Sequence, residues 1–306
     1  MLNKALTKNI IYMIAIGDAL GVPVEFYSRE ELDKDPVFGY REFGTYQQPA
    51  GTWSDDTAFT LATFVGLNKA MRTGAQKLDE WNAIMYDVLA ECMDGRFWQD
   101  GELFDIGHAT YTAIQNRQSS SDERSNGNGA LMRIMGLFPF IYNEKGKEYD
   151  AGQIDLIRRV TSLTHGTELT GAVNIFYLEL ARRIMEQPNT DYYNLVQQTV
   201  EYCHHRFGAE MDMVASAAEK VTYMSRDEVK SGGYCLDALV AALYCLLKPG
   251  DSKEKLLKAV NLGSDTDTTA AVLGGLLGIR EELHSDMVAG LRHKEIIDDV
   301  VEMVYA

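Results

Sequence analysis

The chain is short of the residues that break or staple a fold. Only six prolines occur in 306 residues. Pro23, Pro36, Pro49, Pro139, Pro188 and Pro249 all fall between stretches of periodic apolar residues, where a residue without an N–H does least harm. Cysteine is as scarce: Cys92, Cys203, Cys235 and Cys245 form no Cys-x-x-Cys pair. A chain of this length needs no disulfide staples, so a reduced, cytoplasmic setting is expected. Basic residues are in deficit, 29 Lys and Arg against 45 Asp and Glu, for a net charge of -16. That balance repels nucleic acid and anionic membranes, and neither is an expected partner. A phosphate-bearing ligand would need local positive potential from a metal or from helix N-termini. Long apolar runs are missing too, none approaching the roughly 18 residues of a transmembrane helix, so a soluble protein is expected. Lys4 and Lys8 precede the apolar stretch Ile10 to Ile16 in the manner of a signal peptide, but Asp18 ends it and no Ala-x-Ala site follows.

Period-two alternation is absent, and helical periodicity fills its place. Leu236, Leu239, Val240, Leu243, Leu246 and Leu247 mark one face of a helix, and Ile296, Ile297, Val300, Val301 and Val304 mark another. Comparable stretches run over 3–19, 56–72, 78–93, 105–116, 129–138, 153–164, 168–186, 191–204, 209–223 and 267–279. They predict an all-α fold of about a dozen helices. With no repeat period and no linker, residues 1–306 are expected to form a single domain. The longest irregular segment, Pro23 to Trp53, exceeds what a plain connection requires and is a candidate functional loop. A second, Ser119 to Gly129, ends Ser-Asn-Gly-Asn-Gly, a composition that tolerates left-handed backbone and can turn N–H groups toward an anion.

Two acidic clusters open two of these helices. Ser54-Asp55-Asp56-Thr57 precedes the run Ala58 to Leu67, and Ser264-Asp265-Thr266-Asp267-Thr268 precedes Ala270 to Leu277. Either alone reads as a helix start, with a hydroxyl capping free N–H groups and carboxylates complementing the helix dipole. Together they hold more carboxylates and hydroxyls than capping uses, and crowded like charges call for a counter-ion. Oxygen-only ligands suit Mg²⁺, Mn²⁺ or Ca²⁺ rather than zinc or copper. If the two helix starts converge, they could hold a pair of ions in the arrangement of two-metal hydrolysis. An EF-hand is excluded, because its sixth position would be Ala270 where glycine is needed. Glu25, just beyond Gly17 and Gly21, reads from the sequence alone as an ordinary loop residue.

The chain resembles the ADP-ribosylglycohydrolases, a family that includes dinitrogenase reductase-activating glycohydrolases, ADP-ribosylarginine and ADP-ribosylserine hydrolases, and lens-crystallin relatives. The resemblance lies in Gly17-Asp18-Ala19-Leu20-Gly21 with Glu25, Gly51-Thr52-Trp53-Ser54-Asp55-Asp56-Thr57 and Phe104-Asp105-Ile106-Gly107. It continues through Gly127-Asn128-Gly129-Ala130-Leu131-Met132-Arg133, Thr164-His165, and Asn261-Leu262-Gly263-Ser264-Asp265-Thr266-Asp267-Thr268. It implies an orthogonal all-α bundle with two divalent cations, Mg²⁺ or Mn²⁺, at the base of a cleft. Ser54, Asp55, Asp56, Asp265, Asp267 and Thr268 would be the metal ligands. Glu25 would be a further ligand or the group that activates water. Asp105 and Gly107, together with Asn126, Gly127, Asn128 and Gly129, match segments that hold the diphosphate and distal ribose. His165 matches a ligand-contacting position, and Tyr234 either stacks on adenine or packs in the core. Asp105 or Glu25 would accept the proton or steady the developing positive charge.

The implied function is removal of ADP-ribose from a modified protein side chain, most naturally arginine. Hydrolysis of a small ADP-ribosylated or nucleoside-type metabolite, and a non-catalytic binding or structural role, are the alternatives. The acidic blocks alone would also allow a phosphohydrolase. Three positions depart from the family pattern. Ser54 stands where Thr is common, Ser264 where a second glycine is usual, and His165 is followed by Gly-Thr-Glu.

Overall fold

The computed structural model describes residues 1–75, 77–101, 103–142 and 147–306. Its first helices are α1 (Lys4–Gly21), α2 (Arg29–Lys34), α3 (Asp55–Thr73), α4 (Leu78–Met93) and α5 (His108–Asn116). The middle of the chain forms α6 (Phe138–Ile141), α7 (Ala151–Ser162), α8 (Glu168–Glu186), α9 (Tyr192–Phe207) and α10 (Asp212–Lys220). The last helices are α11 (Cys235–Leu246), α12 (Ser252–Val260), α13 (Thr266–Leu277), α14 (Ser285–Gly290) and α15 (Glu295–Tyr305). Among the described residues there is no β-strand, only two isolated bridges, Ser120 with His165 and Gly127 with Tyr234. The fold is all-α, as the periodicity predicts.

The centre of the fold is the crossing of α1 and α13. Gly17 and Gly21 on α1, and Gly274 on α13 with Gly278 at its C-terminal cap, are each spaced one turn apart and remove the side chains that would hold the helices apart. A Cβ on Gly17 would lie 2.3 Å from the Ala270 carbonyl oxygen, and one on Gly21 2.2 Å from the Asp267 amide nitrogen. From the other side, a Cβ on Gly274 would lie 2.3 Å from the Met13 carbonyl oxygen. The backbones therefore touch, and the start of α13 is held beside the end of α1, where the Thr266 hydroxyl donates to the Gly21 carbonyl at 2.9 Å. Tyr177 on α8 fixes the far side of α13 by donating to the Val272 carbonyl at 2.7 Å.

Burial of α1 on all sides explains its composition. Lys4–Val24 is 21 residues of mean hydropathy 1.3, long and apolar enough to cross a membrane, with 78% of its apolar window buried inside the protein. This corrects the expectation that no stretch reaches that length; a central core helix has no solvent face on which polar residues could accumulate. All four cysteines are free and buried.

Three stretches differ from their periodicity. The helix expected over 105–116 begins only at His108, because Asp105 has φ +64°. The stretch 129–138 is a run of turns and a 3₁₀ segment, Ile134–Leu137, leading into α6. Apolar spacing there reports burial rather than helical backbone. The third, 209–223, contains only α10 between two 3₁₀ turns. Conversely, α2, α12 and α14 lie where no periodic stretch was read. The first two are short and begin with capping boxes, Ser28 with Glu31 and Asp251 with Glu254.

Candidate metal centre

The two acidic blocks meet, and neither serves as a cap. Ser54 and Asp265 occupy the N-cap positions of α3 and α13, yet neither side chain makes a capping hydrogen bond. At α3 the task falls to Asp18 of α1. Its carboxylate accepts from the Ser54 amide at 2.8 Å, the Thr57 amide at 3.0 Å and the Thr57 hydroxyl at 2.6 Å. A capping group from another helix leaves Ser54, Asp55 and Asp56 free for other work. The capping explanation of the two blocks therefore fails on geometry.

The freed groups gather around Asp56. The Ser54 and Thr268 hydroxyls each lie 3.3 Å from its Oδ2. Asp267 accepts from the Thr268 amide at 2.9 Å through Oδ1, and Asp265 accepts from the Asn128 side chain at 2.9 Å through Oδ2. The opposite oxygens, Asp56 Oδ1, Asp265 Oδ1 and Asp267 Oδ2, are buried with no partner. One carboxylate oxygen from each of Asp18, Asp56 and Asp267 lies within 4.8 Å of the others, and so does one from each of Glu25, Asp265 and Asp267. Asp267 belongs to both groups.

Burial, then mutual repulsion, raises the carboxyl pKa values of Asp55, Asp56 and Asp267 well above the usual range. Each charged group that acts strongly on these three is another carboxylate. Burial alone holds Asp18 at about 6 against the opposing effect of its hydrogen bonds. Orphaned buried oxygens and unbalanced like charge are costly unless a cation joins them. An all-oxygen donor set fits a hard divalent ion.

Glu25 reaches the cluster from the long loop. The loop is tied to the start of α13 by two backbone bonds, Phe26 N–H to the Ser264 carbonyl and Ser264 N–H to the Tyr27 carbonyl, each 2.7 Å. Both partners are left-handed, Phe26 at φ +65° and Ser264 at φ +67°. That explains why glycine is usual at the serine position. The Glu25 pKa is pushed up to about 9, by burial and then by Asp105.

The Tyr46 hydroxyl lies between the Glu25 and Asp105 carboxyls, within hydrogen-bond distance of both. A phenol has one proton to donate, so without a cation one of the two carboxyls must itself be protonated to complete the pair. The sequence pointed to neither Tyr46 nor Asp18 as a site residue. Tyr46 carries no periodic signal inside an irregular loop, and Asp18 acts on a helix 36 residues away.

A cavity of about 340 Å³ adjoins the cluster. Its lining includes the acidic residues Glu25, Asp55, Asp105 and Asp265 with Thr268, and also Gly107, Arg124, Gly127, Asn128, Gly129 and His165. Ser54, Asp56 and Asp267 are wholly buried behind it. Asn126 and Tyr234 are not among the lining residues. The Asn126 side chain accepts from the Thr167 hydroxyl and its carbonyl from the Cys235 amide. The Tyr234 backbone pairs with Gly127 while its ring stands half-exposed at the start of α11.

Gly127 and Gly129 do not have positive φ, so left-handed backbone is not why they are glycine. A Cβ on Gly127 would lie 3.2 Å from His165 Nε2, and one on Gly129 2.9 Å from His165 Cε1. The glycines make room for the imidazole. The Asn128 amide is already used by the Gly233 carbonyl at 2.9 Å. Burial, then the nearby Arg133, holds the His165 pKa down to about 3, so the ring is neutral.

The chain is similar to known proteins. The ADP-ribosylglycohydrolase family model matches residues 9–306. The chain is 28% identical over 282 residues to the ADP-ribosylarginine hydrolase Tri1 of Pseudomonas putida, covering 89% of this chain and 69% of that one. It is 25% identical to the ADP-ribosyl-[dinitrogen reductase] glycohydrolase of Rhodospirillum rubrum, covering 87% of this chain and 82% of that one. A solved structure described as an ADP-ribosylglycohydrolase-related protein complex superposes with a TM-score of 0.73 at 23% identity, covering 99% of this chain and 97% of the other. The chain belongs to the ADP-ribosylglycohydrolase family.

Proposed function

We propose that the protein hydrolyses the bond between the anomeric carbon of the distal ribose of ADP-ribose and a modified protein side chain, with arginine as the acceptor. The observation that carries this is the set of orphaned buried oxygens on Asp56, Asp265 and Asp267 beside a cavity whose lining also includes the non-acidic Gly127, Gly129 and His165. Such a cavity can hold a sugar at one end and phosphates at the other. Ser54, Asp55, Asp56, Asp265, Asp267 and Thr268, with Glu25, would hold two Mg²⁺ or Mn²⁺ ions. When bound, such ions supply Lewis acidity toward ribose hydroxyls and lower the pKa of coordinated water.

The remaining chemistry belongs to the chain. Glycosidic cleavage passes through an oxocarbenium-like state, which needs a carboxylate nearby and a base for the attacking water. Asp105 and Glu25, bridged by Tyr46, are the two candidates, and the phenol can turn its hydrogen bond to whichever is ionised. The names of the Pseudomonas and Rhodospirillum relatives, both ADP-ribose-removing hydrolases, support the same reading.

The test presents ADP-ribosylated arginine, serine and small-molecule substrates side by side, with Mg²⁺, with Mn²⁺ and with chelator. Metal-dependent release from arginine is expected. Equal activity in chelator, or turnover of the small molecule alone, would overturn the proposal.

A further inference from the structure

Arg133 is wholly buried, yet among the described residues its guanidinium bonds only to neutral groups. It donates to the Val160 carbonyl at 2.9 Å, the Thr164 hydroxyl at 2.7 Å and, more weakly, the Thr63 hydroxyl at 3.4 Å. Its Nε has no partner. A buried cation without a carboxylate is expensive, and in a chain of net charge -16 acidic partners are plentiful. Its position needs a reason beyond packing.

The reason lies one residue further along the network. The Thr164 hydroxyl, which accepts from Arg133, lies 3.0 Å from His165 Nδ1. Thr164 is buried, and Nδ1 is the acceptor within reach of its single hydroxyl proton. If Nδ1 carried a proton, that buried hydroxyl proton would have no acceptor. If Nδ1 is bare, the hydroxyl proton is used: Arg133 donates to Thr164, and Thr164 donates to His165. The imidazole proton then sits on Nε2. That atom has no hydrogen-bond partner among the described residues and faces the cavity beside Gly127 and Gly129, where a Cβ would cover it.

We propose that Arg133, acting through Thr164, locks His165 as the Nε2–H tautomer and so presents a fixed donor to a phosphate oxygen of the ligand. Arg133 also places a buried positive charge behind His165. The cleft is thereby polarised, with a cation-seeking end at Asp56 and Asp267 and an anion-seeking end at His165. A neutral donor backed by a buried cation suits a diphosphate beside a metal pair, because it adds attraction without a second mobile charge. Arg133 and Thr164 are positioning residues and touch no ligand.

This rests on the cleft being an ADP-ribose site, and two measurements separate the claims. Nitrogen-15 NMR of the ligand-free protein reads the tautomer directly: a pyrrole-like Nε2 and pyridine-like Nδ1 are expected, and the reverse would overturn the relay. Calorimetry with ADP-ribose then compares wild type, Thr164→Val and Thr164→Ser. Loss of one oriented donor to a charged oxygen predicts about tenfold or greater weakening in Thr164→Val. Thr164→Ser, which keeps the hydroxyl, is expected to bind as wild type. Wild-type affinity in Thr164→Val would overturn the relay. Failure of the wild type to bind ADP-ribose would instead refute the functional reading, with the NMR result still deciding the tautomer.

Discussion

Glu25→Gln is expected to make the metal-free protein more stable at neutral pH, although it removes a residue proposed to serve catalysis. The Glu25 pKa rises from 4.5 to about 9 on folding. A carboxyl with a raised folded pKa leaves stability intact below its unfolded value. Stability then declines as pH climbs from the unfolded toward the folded pKa, because the folded state binds more protons. At pH 7 the interval above 4.5 corresponds to about 3 kcal/mol, at roughly 1.4 kcal/mol per pH unit. For 306 residues that is about 5 °C in Tm. The titration is shared among neighbouring carboxyls, and Glu25→Gln removes one member. The assay is thermal unfolding in chelator from pH 5 to 9. Wild type is expected to lose stability across this range, with a shallower decline in Glu25→Gln. Added Mg²⁺ or Mn²⁺ is expected to restore more stability at high pH than at low pH, since the ligands must be ionised to bind. A metal-free wild type whose Tm is flat or rises between pH 5 and 8 would refute the reasoning.

Other perturbations probe separate parts of the account. Ser264→Gly relieves a left-handed serine and is predicted to stabilise by about 0.4–1 kcal/mol with activity retained; a lower Tm would show that the serine side chain matters more than its backbone. Gly21→Ala sets a methyl 2.2 Å from the Asp267 amide, so it should destabilise by more than ~2 kcal/mol and weaken metal binding together, and calorimetry showing either effect alone would contradict the coupling of α1 to the site. Tyr46→Phe keeps the ring but removes the proton between Glu25 and Asp105, and a fall in kcat with little change in KM is expected; unchanged kcat would remove Tyr46 from the chemistry.

Much of the fold was legible because a core helix writes its burial into apolar spacing. That held for α3, α4, α8 and α11, and failed where burial and backbone part company. Residues 129–138 are as apolar as a helix, yet Gly136 lies against the Thr60 carbonyl, where a Cβ would come within 2.7 Å, and the chain follows turns instead. The acidic cluster was legible because two acidic blocks held more oxygen than a helix start consumes. What the sequence could not show was who relieves Ser54 of capping, since Asp18 does so from another helix. Nor could it show that Gly17 and Gly21 face Ala270 and Asp267 while Gly274 and Gly278 face Met13 and Ile10, because glycine spacing names no partner. Gly127 and Gly129 were legible as important, but for conformational freedom; the tertiary reason is the His165 ring.

The most direct test of the central claim is chromatography of a single turnover on ADP-ribosyl-arginine with Mg²⁺ or Mn²⁺ present. A dinuclear oxygen-ligated site can cleave either a glycosidic bond or a diphosphate. The account assigns the phosphates to Gly127, Gly129 and His165 rather than to Asp56 and Asp267, so it predicts intact ADP-ribose and free arginine as the first products. AMP as the first product, with ribose phosphate left on the arginine, would contradict it.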